Sequence, residues 1–311
     1  MTDESPPRPR GRRIRVLWNP GSGRKAGIPT NNASRASLEE LMTRHDLGHE
    51  LVETASEDDA LDRTRDAVAA GYDVVVAAGG DGSIGLVAGV LLESQTALGM
   101  LPLGSIMNIP RMLDVPRDLD AAAGILAEGH VRTIDVGVSG TTMFYEAASV
   151  GLHAAVFRDI AEVDEGHYSA IFRSIAAAFR YRPTRMVVEL DDGRQVATRA
   201  LLVAVANGRF MGPGLTVAPD AILDDGVFDV RIFEHYSKWE LLRHLASIAF
   251  GRRAYAPRVR TERAASVRIS GARPLPARAD AIDLGVTPVA FRTRAGVLRV
   301  VAPGPGVIDQ G

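Results

Sequence analysis

Apolar and polar positions divide the first 134 residues into short apolar runs that alternate with longer amphipathic stretches. The apolar runs are bounded by turn or charged residues and are typical of strands in a buried parallel sheet: 15–18, 50–53, 74–78 and 98–102. The amphipathic stretches repeat apolar residues every three or four positions and predict helices: 33–44, 57–70, 83–92 and 119–128. This alternation predicts an α/β domain with a largely parallel sheet.

The pattern changes after residue 133, where short strand-like runs are separated by glycine, proline and aspartate turns. The runs are 143–150, 185–190, 199–205, 228–233 and 267–269, and Asp192-Gly193 predicts a hairpin between two of them. They predict a β-rich, β-sandwich-like C-terminal domain. We therefore divide the chain into a disordered tail, an α/β nucleotide-binding domain, a β-rich substrate domain and a segment that returns to the first domain: 1–13, 14–134, 135–290 and 291–311.

Composition narrows the class of protein. The 311 residues exceed what one core usually supports, which agrees with two domains. The chain has no cysteine, which excludes disulfides, thiolate metal sites and a cysteine nucleophile. A net charge of −2 with 46% hydrophobic residues predicts neither disorder nor nucleic-acid binding. No apolar run reaches the length of a bilayer span, and 1–13 lacks a signal-peptide core, so we expect a cytoplasmic protein.

Candidate chemistry begins at the glycine-rich turn after the run 74–78, which consists of Gly79, Gly80, Asp81, Gly82 and Ser83. Glycines allow positive φ and a close approach of backbone N–H groups to an anion, and a helix N-terminus would point at the same place. Asp81 beside bound phosphates would require a cation, and magnesium is the expected one. A turn of this kind also occurs where it only packs a helix against a sheet.

Two further loops follow predicted strands. The first consists of Asn19, Pro20, Gly21, Ser22, Gly23 and Arg24, and the second contains Gly104, Ser105 and Asn108. Because ligands of open α/β sheets bind beyond the carboxyl ends of the strands, we expect the three loops to line one anion-binding pocket.

Order and spacing of these motifs resemble the diacylglycerol kinase-like lipid kinases, the family of bacterial diacylglycerol kinases, YegS-type kinases and sphingosine kinases. The similar segments are 19–23 (NPxSG), 79–83 (GGDGT), 102–111 (PLGTxN), 207–214 (NGxxxGGG), 218–229 (AP-A-DDG-D) and 280–288 (DGE and TP). The resemblance implies transfer of the γ-phosphoryl group of ATP to a lipid hydroxyl, with Mg²⁺. It implies catalytic roles for Asp81 and Asp280, ATP contacts by the three loops, and a metal role for Asp81.

Asp280 and Asp225 each have a second interpretation. The resemblance makes Asp280 a candidate base or acceptor-orienting group, and makes Asp225, with Asp224 and Asp229, a candidate structural cation site. Either aspartate can equally be a turn residue that accepts hydrogen bonds from its own backbone.

The chain departs from the family pattern at positions that are polar or acidic in the family. Leu86, Met107, Asn108 and Ile282 stand where the family has polar or acidic residues. They leave two alternatives open: a catalytically silent nucleotide- or lipid-binding homologue, and a kinase of a soluble substrate related to NAD kinase or phosphofructokinase.

Partners follow from the same resemblance. A lipid substrate is expected, and an amphipathic run at 238–250 followed by arginines could meet the inner membrane surface transiently. The apolar run 168–181 could line an acyl pocket, although core packing explains both runs as well. A homodimer is compatible with the sequence.

Overall fold

The computed structural model describes residues 12–21, 31–155, 181–212, 214–234 and 259–304. The chain divides into two compact units. The first comprises Met1–Arg132 and Leu298–Gly311, and the second comprises Thr133–Val297. The return of the chain to the first unit thus begins at Leu298, seven residues later than the sequence pattern suggests.

The described part of the first unit is a parallel sheet with helices. Its elements are β1 Ile14–Trp18, α1 Arg35–Arg44, β2 Leu51–Glu53, α2 Glu57–Ala69, β3 Val74–Gly79, α3 Asp81–Leu91, β4 Ala97–Pro102, α4 Asn108–Met112, α5 Leu119–Glu128 and the end of β17, Val289–Ala302. The strand order is β17, β4, β3, β1, β2, and all of these neighbours run parallel. The α/β prediction for this unit is confirmed.

Apolar sequence places the central strands in the core. Every residue of β3 and β4 is buried. Gly99 of β4 permits close packing of α5, since a Cβ at this position would lie 2.6 Å from the Leu126 Cδ2. Helix starts follow local chemistry: Ser34, Ser56 and Asp118 each accept a backbone hydrogen bond as N-caps of α1, α2 and α5. The carboxyl ends of β1 and β3 lie beside the starts of α2 and α3.

The second unit is β-rich. Its described strands are β5 His130–Ser139 (which begins in the first unit), β6 Thr142–Phe144, β7 Ala147–Gly151, β8 Thr184–Leu190, β9 Gln195–Ala206, β10 Phe210–Met211, β11 Leu215–Thr216, β12 Phe228–Glu234, β13 Val259–Ala264, β14 Ser266–Gly271, β15 Pro276–Ala279, β16 Ile282–Val286 and most of β17. The main order is β16, β15, β7, β9, β8, β14, β17, and β12 joins β9 to β13. The predicted β-rich class is confirmed.

Aromatic residues centre the core of this unit. The rings of Phe144 and Phe228 stack with centroids 5.6 Å apart, and Phe291 meets Phe144 edge-on at 6.0 Å. The Phe144 ring lies directly over Gly137 of β5, where a Cβ would come within 2.2 Å of it. The strand alternation therefore sets the core, and one glycine makes room for its largest ring.

Three local predictions need correction or fall outside the described residues. The single strand expected over 143–150 is two strands, β6 and β7, separated by the turn at Tyr145 and Glu146. Helix α3 begins at Asp81 rather than Ser83, so Asp81 and Gly82 belong to its first turn. The runs 168–181 and 238–250 lie outside the described residues except for Tyr181. Among the described helices, none is long and apolar enough to cross a bilayer.

Candidate active site

A pocket of about 210 Å³ opens in the first unit at the carboxyl ends of β1 and β3. The structure brings Asn19 of the first predicted loop together there with Gly82 and Ser83 of the glycine-rich turn. The other lining residues come from β1, β3, α2, α3 and the β2–α2 turn: Leu17, Thr54, Ala55, Ser56, Glu57, Ala60, Ala77, Leu86 and Val87. Two of the three predicted loops therefore share one cavity, as expected for strand ends of a parallel sheet.

Asn19 shapes the loop that follows β1. Its side-chain Oδ1 accepts a hydrogen bond from the Gly21 N–H at 2.8 Å, while its own N–H donates to the Ala78 carbonyl at 3.3 Å. This ties the loop to the end of β3. Pro20 and Gly21 lie in the same turn, whereas Ser22, Gly23 and Arg24 lie outside the described residues.

Thr54 and Ser56 are pocket residues that the sequence motifs did not indicate. The N–H and the hydroxyl of Thr54 both donate to the Trp18 carbonyl, at 2.9 and 3.3 Å, and the side chain is buried. Ser56 caps α2, so a second helix N-terminus faces the cavity beside that of α3. The sequence does contain a signal for these residues: a threonine stands directly after β2, and a serine stands before the acidic first turn of a helix.

Asp81 lies at the first position of α3 and contacts the short helix α4. Its Oδ2 accepts from the Asn108 N–H at 3.0 Å, and its Oδ1 accepts from the Ile109 N–H at 2.9 Å. Burial is the largest influence on this carboxyl and raises its pKa, while these backbone donors oppose the shift. Asp81 therefore anchors α4 to α3.

The sequence predicts positive φ at the glycines of the turn after β3, and this prediction is wrong. Gly79, Gly80 and Gly82 all lie outside the left-handed region, and Gly80 has a φ of −84°. A Cβ on Gly80 would point toward the Leu103 carbonyl at 3.5 Å, and one on Gly104 would lie 3.1 Å from the Gly80 Cα. The two turns therefore pack back to back. Only a Cβ on Gly82 would enter open space, and Gly82 lines the pocket.

The third predicted loop lies behind the glycine turn and does not line the described cavity. The carbonyls of Gly104 and Ser105 accept hydrogen bonds from the Arg117 guanidinium at 3.1 and 2.9 Å. Asn108 is fully buried at the start of α4. Met107 before it has a φ of +57°, in the left-handed region, which is uncommon for residues other than glycine, asparagine and aspartate.

Asp280 occupies a two-residue turn between β15 and β16 in the second unit. Its Oδ2 accepts from the Tyr145 N–H at 2.7 Å, and its Oδ1 accepts from the N–H groups of Glu146 and Ala147, each at 3.1 Å. The residue holds a φ of +44°, and these three bonds offset the strain of that conformation. Together with burial, the charge on Asp280 raises the pKa of the Tyr145 hydroxyl.

Asp225 forms a turn and an ion pair. Its Oδ1 accepts from the Val227 N–H at 3.2 Å, and its Oδ2 contacts the Arg263 guanidinium. Within the described residues no group of three His, Cys, Asp or Glu side chains is arranged to hold a metal ion. A structural cation at Asp225 stays a prediction, and the observed contacts match its interpretation as a turn residue.

The Asp81 carboxylate suits magnesium when substrate phosphates supply further ligands. Magnesium keeps several waters and is commonly held by one or two carboxylates together with substrate phosphates. Backbone N–H groups of Met107, Asn108 and Ile109 hydrogen-bond the Asp81 carboxylate, which leaves about one of its four lone-pair sites for a metal-bound water. Phosphates in the adjoining pocket would supply the remaining oxygens, so the residues present fit the ion through water.

Comparisons with known proteins agree with this architecture. Residues 13–139 match the diacylglycerol kinase catalytic domain, and residues 146–302 match the YegS C-terminal NAD kinase beta sandwich-like domain. Diacylglycerol kinases from Staphylococcus aureus strains RF122 and MRSA252 are each 28% identical, over 96% of this chain and 95% of the relative. A crystal structure of a diacylglycerol kinase from Bacillus anthracis superposes with a TM-score of 0.71 at 18% identity, covering 97% of this chain and all of that one.

The model of the YegS C-terminal domain alone covers half of the chain. The two family models follow each other along the chain in the same order as the two structural units. The chain therefore belongs to the diacylglycerol kinase-like, YegS-type family of lipid kinases.

Proposed function

We propose that this protein is an ATP-dependent lipid kinase that transfers the γ-phosphoryl group of ATP to a hydroxyl of a lipid such as diacylglycerol. The observation that carries the proposal is the pocket at the ends of β1 and β3. It joins Asn19, Gly82 and Ser83 to the N-terminal turn of α3, which suits an anionic ligand, while the α2 side of the pocket carries the Glu57 carboxylate.

The described residues divide the work of phosphoryl transfer. Backbone N–H groups of the first turn of α3 and the Ser83 hydroxyl would bind nucleotide phosphates, and Thr54 and Leu86 would line the side of the pocket. Magnesium, when bound, would neutralise phosphate charge, and Asp81 would hold it through water. Asp81 also keeps α4 in place, so one side chain would both hold magnesium and anchor a helix.

Asp280 would orient the acceptor hydroxyl. Three backbone donors already occupy most of its acceptor capacity. The family glutamate two residues later is Ile282 in this chain. Asp280 is therefore a positioning residue in this proposal, with slow turnover as the expected consequence.

The test is transfer of labelled γ-phosphate from ATP and Mg²⁺ to mixed micelles of single lipids: diacylglycerol, monoacylglycerol, ceramide, a sphingoid base or phosphatidylglycerol. NAD and a sugar phosphate serve as soluble acceptors. We expect one labelled lipid that disappears in Asp81→Asn and persists in the matched control Asp66→Asn, an exposed aspartate of α2. Labelled NAD or sugar phosphate would instead establish a kinase of soluble substrates.

A catalytically silent homologue is the second candidate, and the pocket itself favours it at one position. Leu86 lines the cavity where the family has an acidic or polar helix residue, so an apolar wall replaces a charge. ATP binding by calorimetry without any labelled product would support this alternative over the kinase.

A further inference from the structure

Four exposed arginines of the second unit lie around the start of β8: Arg182, Arg185, Arg199 and Arg273. Arg185 of β8 and Arg199 of β9 are direct cross-strand partners. Arg182 precedes the same end of β8, and the Arg273 guanidinium donates to the Thr184 hydroxyl at 3.3 Å. We call this group the arginine end.

The arginine end lacks internal counter-charges among the described residues. No carboxylate there lies within ion-pair distance of any of its four guanidinium groups. Three arginines elsewhere in the same unit have carboxylate partners: Arg194 with Asp192 and Glu262, Arg260 with Glu262, and Arg263 with Asp225. Like charges placed directly opposite each other across two strands destabilise a sheet. An external anion would remove that cost.

An exposed apolar side chain stands in the same part of the sheet. Val286 is 45% exposed and pairs with Pro276, which precedes the partner of Val150 on β7. Following the registers through Gly151 and Leu202 leads to the start of β8. Because β7 and β8 both pair with β9 on the side away from β12, the start of β8 follows the end of β7 along β9, and Val286 lies two strands to the side of β7.

We propose that the arginine end docks on the surface of an anionic lipid bilayer. The proposal rests on the proposed function, because a lipid acceptor resides in such a bilayer. Several charges spread around the start of a strand, rather than gathered in a pocket, match a field of phospholipid headgroups. An exposed valine beside them suits the acyl boundary and adds nothing to binding of a nucleic acid. Each arginine near an anionic membrane strengthens binding by about fivefold.

The experiment is co-sedimentation of the full chain with sucrose-loaded vesicles of phosphatidylcholine alone, or of phosphatidylcholine with 30% phosphatidylglycerol. The double variant Arg185→Gln/Arg199→Gln should bind the anionic vesicles about 25-fold more weakly. The control Arg63→Gln/Arg65→Gln removes the same net charge from exposed ion pairs of α2 and should bind like the parent. Melting temperature checks folding, and the first double variant should melt no lower than the parent because it relieves repulsion.

The outcomes separate docking from catalysis. Equal binding of the two vesicle types, equal loss in both double variants, or loss only of binding to a soluble polyanion such as heparin would overturn docking. Phosphorylation of a short-chain diacylglycerol dispersed without vesicles reports the proposed function separately. Vesicle binding lost in the variant with no kinase activity in the parent would retain docking and reject the kinase. Activity with unaltered vesicle binding would do the reverse.

Discussion

At the scale of single residues, the two aspartates with proposed chemistry are also structural anchors. Asp81 accepts backbone hydrogen bonds from the start of α4, and Asp280 accepts three from the turn between β6 and β7. Leaving such buried donors without an acceptor costs about 1–3 kcal/mol each. Loss of activity in a variant of either residue therefore has a chemical meaning only when folding is measured alongside it.

Gly82 is the position where stability and binding should separate. A methyl group there meets no atom within 4 Å and would enter the pocket. Gly82→Ala should raise the free energy of unfolding by up to about 1 kcal/mol, because alanine is the better helix former. It should also weaken ATP binding at least tenfold, since the methyl group occupies ligand space. Urea denaturation and calorimetry with ATP measure the two effects.

Gly124→Ala is the matched control for that substitution. Gly124 lies inside α5, and a Cβ there would contact only His45, at 3.8 Å. This variant should gain similar stability and bind ATP as the parent does. If Gly82→Ala retained full ATP affinity, the nucleotide would have to lie elsewhere.

Ile282 offers a gain-of-function test. It is 49% exposed at the start of β16, two residues after Asp280, so a glutamate can be placed there with little effect on folding. Ile282→Glu restores the family acid, and we expect kcat for lipid phosphorylation to rise by about 100-fold, the lower end of the range for general acid–base catalysis. The KM for ATP should stay the same, because the ATP loops are unchanged.

Ile222→Glu controls for added charge, since Ile222 is 52% exposed in the same unit and lies outside the segment 280–288, at a variable position of the segment 218–229. It should leave kcat unchanged. A kcat for Ile282→Glu equal to that of the parent would show that the missing acid does not limit turnover.

His153 should make stability depend on pH. Burial is the main cause that lowers its pKa from 6.5 to about 4, and the charge of Arg278 adds to the shift. The folded state thus resists protonation, so stability is fully present above about pH 6.5 and falls as the pH drops toward 4. The loss amounts to about 3 kcal/mol. His153→Gln should flatten this region of a pH series of urea denaturations.

At the scale of elements, the hydrophobic pattern predicted the strands and helices whose positions are set by burial. The strands β3 and β4 are buried at every residue, and α5 lies over the residues expected for it. Turns held by distant partners were not predictable. The break between β6 and β7 depends on Asp280, 135 residues from Tyr145, and α4 depends on Asp81. The position of the pocket was predicted from the strand ends. Thr54 was not predicted to line it, because this residue follows the short strand β2, which carries no motif.

Asp135 joins several elements of the second unit. It is buried on β5, and its carboxylate accepts from the Gly226 N–H at 2.6 Å and the Gly296 N–H at 2.8 Å. Asp135→Asn removes one acceptor and should lower the free energy of unfolding by about 1–3 kcal/mol. Chemical denaturation measures it. Asp62→Asn, which breaks an exposed pair with Arg65, should cost under about 1 kcal/mol, and an equal cost would contradict the anchoring role.

At the scale of the whole molecule, the chain completes its first unit with its last described strand. Residues Leu298, Val300 and Val301 are at most 1% exposed, and Val300 pairs in parallel with Leu98 of β4. Burying each of these side chains stabilises the fold by about 1.5–3 kcal/mol, so together they contribute about 6 kcal/mol. That is comparable with the whole stability of a typical domain.

A chain ending at Val297 should therefore fail to fold its first unit, although the residues of that unit's predicted nucleotide site are all present. Limited proteolysis should cut it within 12–132 while 133–297 stays protected, and ATP binding should be lost. A chain ending at Gly304 keeps the strand and should resist proteolysis and bind ATP like the full protein. Protection of 12–132 in the shorter chain would mean that the parallel sheet is stable without β17, and that the return of the chain serves some purpose other than completing this core.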